Sequence, residues 1–313
     1  MTSSSGYCPL CGKNQPVSAH LTTRDFLLSR SEFSIVRCVT CDLCYTHPPV
    51  PEEEIGRYYA FSDYAPYRVM DPLSPMARLR RAIRRYIPES ETSQIIRLLN
   101  ARRVKRILEI GPGAGALSKK LLDAGFAVSA VELDPSCAQG LRNYGIDCVT
   151  GTVSEGIRKF ESECFDAVIM RHVFEHIYNP RAVLKSLRRL LSQDGIMVLS
   201  MPDASSREAK LFGKYWIGWD VPRHVTHYAP STLNAILSLE GFASEWVAPE
   251  YYGTSFIESI ELLLFSRPAP AWFHLPIYYS WRVWAPFHFR IFGSGTMSAV
   301  VRKSPRTAVP GGD

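Results

Sequence analysis

The chain has 313 residues, 46% of them hydrophobic, the balance of an ordinary globular protein with one large core and room for a small appendage. Its 36 Lys and Arg against 30 Asp and Glu leave a net charge of +6, too modest an excess to demand a nucleic-acid partner. Met1 to Gly6 is polar and leads straight into Cys8, so no secretory leader is expected and a reducing, cytoplasmic setting is.

Five of the eight cysteines fall in two clusters, Cys8-x-x-Cys11 and Cys38-x-x-Cys41-x-x-Cys44. Each CxxC pair presents two thiolates from a tight knuckle, and two knuckles close a tetrahedral zinc site with no open position. Cys8 and Cys11 form the first pair. For the second, Cys38 with Cys41 and Cys41 with Cys44 have the same spacing, and His20 is a further reserve. A structural zinc would staple residues 1–50, too few to bury an adequate core alone. A redox-active CxxC is the competing reading.

Residues 51–100 read as a linker and helical cap. His47-Pro-Pro-Val-Pro51 prevents regular helix and sheet, after which Glu52 to Tyr59 resumes a helical pattern. Tyr58, Tyr59, Phe61, Tyr64 and Tyr67 make an aromatic cluster suited either to covering a ligand or to packing between domains. Arg78, Arg80, Arg81, Arg84 and Arg85 crowd one short segment, either a solvated basic face or a contact for an anionic lipid or polyphosphate-bearing partner.

Val104 to Ile110 reads as a buried parallel strand, Gly111 to Gly115 as a tight turn onto a helix N-terminus, and Val128 to Glu132 as the next strand. Gly111-x-Gly113-x-x-Ala116 fits a dinucleotide fingerprint, with Glu132 at the spacing of its ribose acid. Glu109 immediately before the turn changes the balance. A carboxylate there would repel a phosphate and suits the cationic amino group of S-adenosylmethionine. A glycine turn that merely joins strand and helix would need neither acid.

The segments EIGPGAG, VELD, FDAVIMRHVFEHIYNP and GIMVLSMPD, in this order and spacing, resemble the motifs of class I S-adenosylmethionine-dependent methyltransferases over about residues 104–250. Within that superfamily the chain resembles bacterial sugar, glycan and secondary-metabolite enzymes with an N-terminal cysteine module. The resemblance implies a Rossmann-like α/β fold with a seven-stranded, mostly parallel sheet whose last strand is antiparallel, and a small zinc-ribbon-like module. It assigns Glu109, Gly111, Gly113, Gly115, Glu132, Thr152, Arg171 and His172 to the cofactor. It also favours Cys8, Cys11, Cys38 and Cys41 as zinc ligands, because related modules place an apolar residue after the second knuckle, as Asp42-Leu43 does.

Methyl transfer needs the donor sulfur, methyl and nucleophile in line and, for a hydroxyl acceptor, a group to take the proton. The string WIGWDVPRHVTHY, residues 216–228, follows the fifth strand and can fold over the cofactor as a lid. Trp216 and Trp219 can stack on a sugar or ring, Arg223 can hold a carboxylate or phosphate, and Asp220, His227 and Tyr228 extend the acceptor surface. The resemblance places a histidine base at His224, with His172 second; the alternative is that Asp220, Arg223 and His224 form a hydrogen-bonded clasp. An RNA methyltransferase is a rival reading, but the Asn/Asp-Pro-Pro-aromatic string common in base N-methylation is replaced by Arg171 to His176. A short-chain dehydrogenase should carry Tyr-x-x-x-Lys, which is absent from the sequence. A non-catalytic cofactor-binding protein should lose the acid/base side chains that are present here.

Ser231 to Leu239 reads as an amphipathic helix capped by Ser231 and ended by Gly241. Ala243 to Val247 and Thr296 to Val301 read as the sixth and seventh strands. Between them lies an aromatic-rich insertion at about 256–292, interrupted by Arg267, Arg282 and Arg290 and so unfit to span a membrane. It suits packing on the core, a dimer surface or a peripheral membrane contact near a lipid-linked acceptor. The methyltransferase domain is expected over 101–303 and a disordered tail over 304–313. The expected activity is O-methylation of a sugar, glycan or secondary metabolite, with C-methylation of a sugar as the alternative.

Overall fold

The computed structural model describes residues 5–16, 18–59, 91–250 and 254–304. Phe61, Tyr64, Tyr67, the five clustered arginines and the tail from 305 onward lie outside the described residues. The N-terminal part holds β1 (Ser5–Tyr7) and β2 (Asn14–Pro16), paired antiparallel, and then β3 (Ser18–Arg24), β4 (Glu32–Arg37) and β5 (Cys44–His47). Of the helix expected over Glu52 to Tyr59, only a 3-10 turn forms at Ile55–Tyr58.

The remainder alternates strand and helix: α1 (Glu91–Ala101), β6 (Arg106–Ile110), α2 (Ala116–Asp123), β7 (Ala127–Glu132), α3 (Pro135–Asn143), β8 (Asp147–Thr150), β9 (Phe165–Arg171), α4 (Pro180–Leu190) and β10 (Leu191–Pro202). After α5 (Arg207–Phe212) and the two-residue β11 (Thr226–His227) come α6 (Pro230–Leu239), β12 (Phe242–Pro249), α7 (Ser255–Phe265), α8 (Ala271–Phe292) and β13 (Thr296–Lys303). Helix α6 starts at Pro230, a residue before the expected cap: proline's fixed φ suits the first helical position, and the Thr232 hydroxyl bonds the Ala229 carbonyl behind it.

Seven strands form one sheet in the order β12-β13-β10-β9-β6-β7-β8, and the expected architecture is observed. Strands β6 to β10 run parallel, while β13 is antiparallel to both β10 and β12. Central strands such as RILEI and FDAVIMR are near-continuous apolar runs because helices cover both faces. Helix α4 shows how one face is covered. Asn179 caps it, Val183, Leu184, Leu187 and Leu190 bury at helical spacing, and its last turn carries Arg188 and Arg189. The strand order reverses between β6 and β9, so the loops leaving their C-terminal ends diverge and open a crevice there.

The N-terminal module is not a separate bead. Its sheet runs β11-β5-β4-β3, so Thr226 and His227, from the string after β10, supply its edge strand, opposite Tyr45 and Cys44. Module side chains Cys8, Leu10, Leu43 and Tyr45 share one apolar core with Phe174 and Tyr228. In the insertion, Phe256 stacks on Trp281 at 5.0 Å and meets Phe212 edge-on, whereas Leu264, Trp284 and Phe287 are exposed. Among the described residues no helix is long and apolar enough to cross a membrane.

Candidate active site

The crevice is built from the tips of β6, β7 and β9. Near the end of β6, Glu109 is buried and accepts a hydrogen bond from the Ser118 hydroxyl of α2. Burial pushes its pKa up to about 7, against the opposing pull of that hydrogen bond and of Arg171. The turn that follows requires glycine. Gly111 (φ +66°) would place a Cβ 2.5 Å from Val173 Cγ2, and Gly115 (φ +75°) one 2.6 Å from Leu141. The Gly113 amide donates to Glu132 Oε2 at 2.8 Å, and the Asp134 amide donates to Oε1 at 2.9 Å. Backbone donors therefore fix the β7 carboxylate beside the turn, and each oxygen keeps a lone pair for a further donor. Burial raises the pKa of Glu132, and those amides oppose the rise.

Two of the other expected cofactor residues are engaged locally. Thr152 caps the helical turn Val153–Gly156 in a reciprocal capping box with Glu155. Arg171, the last residue of β9, forms an ion pair with Glu91 of α1 and lies 4.0 Å from Glu250. Burial, reinforced by Glu250, pushes Glu91 up to about 7. His172 sits directly beyond β9 with φ +53°, its amide bonded to Ser200 and its side chain 48% exposed. Its Nδ1 lies 3.5 Å from Glu175 Oε1. Burial disfavours the imidazolium, but the Glu175 carboxylate outweighs it and holds the pKa above the ordinary value.

The string from Trp216 to Tyr228 turns inward, which differs from the acceptor-facing placement expected of it. Trp216, Trp219, Arg223, His224, His227 and Tyr228 are all buried. Trp216 and Trp219 pack edge to face at 4.9 Å, and the Trp219 indole donates to the Gly213 carbonyl. Arg223 donates from Nε to both Asp220 oxygens at 3.0 Å, from Nη2 to Asp25 Oδ1 at 2.9 Å and from Nη1 to the Tyr58 carbonyl at 3.1 Å. This is the clasp geometry, extended to an aspartate of the N-terminal module. Burial alone would raise Asp25 and Asp220, yet Arg223 holds both below the usual carboxylate range. His227 Nε2 pairs with the Thr46 hydroxyl at 3.1 Å, and burial drives its pKa well below the ordinary value. His224 Nδ1 donates to the Gly218 carbonyl at 2.9 Å, while its Nε2 stands 3.8 Å from Glu175. Of the three imidazoles beside Glu175, those of His172, His176 and His224, only that of His172 is exposed.

The thiols of Cys8, Cys11, Cys38 and Cys41 lie within 4.8 Å of one another. The two knuckles are built alike. The amides of Gly12 and Asp42 return to the carbonyls of Cys8 and Cys38, and both residues have positive φ, +69° and +61°. Cys44 instead packs with Trp216, Trp219 and Val221, and His20 lies edge-on to Trp219. Sequence reasoning missed Asp25, Glu91 and Glu175 as partners. Asp25 carries no local signal for its role, because Arg223 is 198 residues away.

A family model described as a methyltransferase domain matches residues 78–245, more than half of the chain. The chain is 29% identical over 130 residues to the ubiquinone biosynthesis O-methyltransferase of Xanthomonas oryzae pv. oryzae, covering 39% of this chain and 54% of that protein. It thus spans about half the length of the curated relatives it matches first. A shorter stretch of 58 residues is 47% identical to ribosomal RNA small subunit methyltransferase A of a Synechococcus strain, covering 18% of this chain and 21% of that one. Among solved structures, a SAM-dependent methyltransferase from Archaeoglobus fulgidus is similar, with a TM-score of 0.47 and 17% identity, covering 74% of this chain and all (100%) of that one.

Proposed function

The chain belongs to the methyltransferase-domain family, and from that membership we propose that it transfers the methyl group of S-adenosylmethionine to a hydroxyl oxygen of a small organic acceptor. The observation that carries this reading is the pair of buried acids, Glu109 and Glu132, on either side of a positive-φ glycine turn at the point where the strand order reverses. When bound, S-adenosylmethionine supplies an electrophilic sulfonium methyl. Glu132 accepts from the ribose hydroxyls while Gly113 and Asp134 hold it in place. Glu109 meets the amino group. Oxygen as the acceptor atom is supported by the accessible His172, an imidazole beside the Glu175 carboxylate that can take a hydroxyl proton. The names of the curated O-methyltransferase relatives support it too. The sugar, glycan or secondary-metabolite class rests on the sequence resemblance.

Incubation with S-adenosylmethionine and a panel of hydroxylated acceptors tests this. The expected outcome is release of S-adenosylhomocysteine with an O-methylated product one CH2 unit heavier. A methyl found only on carbon or nitrogen would overturn the oxygen assignment.

Glu109 makes cofactor affinity pH-dependent. Its pKa near 7 means that the protonated form gains population as the pH falls, and a cationic amino group binds only the carboxylate. Affinity should therefore be complete above that value and weaken below it by up to about tenfold per pH unit. Calorimetry across the range should show this slope, and Glu109→Gln should flatten it.

We assign a structural zinc to Cys8, Cys11, Cys38 and Cys41. Their four sulfurs lie within 4.8 Å of one another, and four thiolates share such a space only with a cation between them. Cys41→Ser should lower the zinc content by one equivalent per chain and unfold the module, whereas Cys44→Ser should leave it unchanged; elemental analysis distinguishes the two.

A further inference from the structure

Beyond β9 the chain makes a 3-10 turn, Phe174–His176, that faces the buried His224 of the inward-turned string. One carboxylate oxygen of Glu175 and one ring nitrogen each of His176 and His224 lie within 4.8 Å of one another. The tautomers of both histidines are set by backbone. His176 Nδ1 lies 2.9 Å from the Arg223 carbonyl, with the Tyr59 hydroxyl also at 2.9 Å, and His224 Nδ1 lies 2.9 Å from the Gly218 carbonyl. A carbonyl only accepts, so each Nδ1 carries the proton and each Nε2 presents a lone pair.

Glu175 completes this group, with His224 Nε2 3.8 Å from its Oε1. It is 2% exposed, and neither of its oxygens has a hydrogen-bond partner among the described residues. His172 Nδ1 at 3.5 Å and His224 Nε2 at 3.8 Å stand near Oε1 without forming a hydrogen bond. A buried carboxylate without a hydrogen-bond partner thus lies against two imidazole nitrogens, an arrangement that a cation between the three groups would stabilise. Asp220 Oδ2, 3.8 Å from His224 Nε2, adds negative charge on the same side, although Arg223 engages it.

We propose that Glu175, His176 and His224 bind one divalent transition-metal ion, separate from the four-cysteine centre. The 3.8 Å between His224 Nε2 and Glu175 Oε1 is a span that two metal–ligand bonds of about 2.0–2.2 Å can close. Two imidazoles and one carboxylate select a borderline ion such as Zn2+, Co2+ or Fe2+ over Mg2+ or Ca2+, which take oxygen ligands. The carbonyls on Nδ1 are the outer partners that orient metal-ligating histidines. The ion ties the turn after β9 to the string that carries Arg223. The site stands on this geometry independently of the acceptor assigned above.

Titration of chelator-stripped, untagged full-length protein with Co2+ tests the proposal, because the two centres differ optically. The expected result is two equivalents. One gives the intense thiolate-to-cobalt charge-transfer band of the cysteine centre, and the other gives only weak visible bands. Glu175→Gln and His224→Gln should each lose the second equivalent and keep the first, whose thiolate band also reports an intact module. If the wild-type protein saturates at one equivalent with the thiolate band, the proposal fails, whatever the variants do. It fails equally if Glu175→Gln still takes up two.

Discussion

Arg223→Ala is expected to lower the unfolding free energy by about 3–5 kcal/mol, because it strands buried carboxylates that the guanidinium neutralises. The side chains of Arg223 and Asp25 are fully buried (0% exposed) and that of Asp220 is nearly so, so solvent does not replace the lost partner. Arg223 also bonds the Tyr58 carbonyl, so the loss should loosen the string, the N-terminal sheet and the chain after β5 together. Chemical denaturation measures it, and a change under about 1 kcal/mol would show that the clasp contributes no more than a surface pair. The acid limb gives an independent check. The folded pKa of Asp25 is depressed, so its contribution is present above the unfolded value of about 3.9 and is lost as the pH falls through the folded value. Asp25→Asn should be less stable at neutral pH and lose less stability on acidification.

His172→Asn is expected to lower turnover by about 10²- to 10⁴-fold with donor affinity nearly unchanged, the signature of a lost proton acceptor. Asparagine tolerates the positive φ of +53° at this position, so the backbone need not move. His224→Ala should behave differently. It removes a buried side chain bonded to Gly218 and packed on His176 at 4.6 Å, and lowered thermal stability should accompany any loss of rate. Wild-type turnover in His172→Asn with a methylated acceptor would remove His172 from the mechanism.

Much of the fold was legible because its signals are local. The run RILEI, the glycines that only positive φ explains and the acid at Glu132 lie within a stretch of thirty residues, and each predicts its own neighbour. The spacing of the CxxC pairs likewise predicted which thiols could meet, although the register at Cys41 needed a resemblance to choose. The string from Trp216 to Tyr228 shows where local reading ends. Its polar and aromatic residues suit an acceptor surface as well as a buried clasp, and only the partner side chain decides between them. That partner, Asp25, sits in an ordinary-looking turn and bonds the amides of Leu27, Leu28 and Ser29 before it ever meets Arg223. Pairing of Thr226 and His227 with β5 is equally silent in the sequence, since two residues carry no strand periodicity.

The central claim is that this crevice holds S-adenosylmethionine between Glu109 and Glu132, and calorimetry on the wild-type protein and Glu132→Ala tests it most directly. The account predicts that the wild type binds S-adenosylmethionine and S-adenosylhomocysteine. It also predicts that the variant loses about 1–3 kcal/mol of that affinity, through the lost charge-assisted hydrogen bonds to the ribose. Binding of NAD by the wild type, with no heat from either adenosyl ligand, would contradict it.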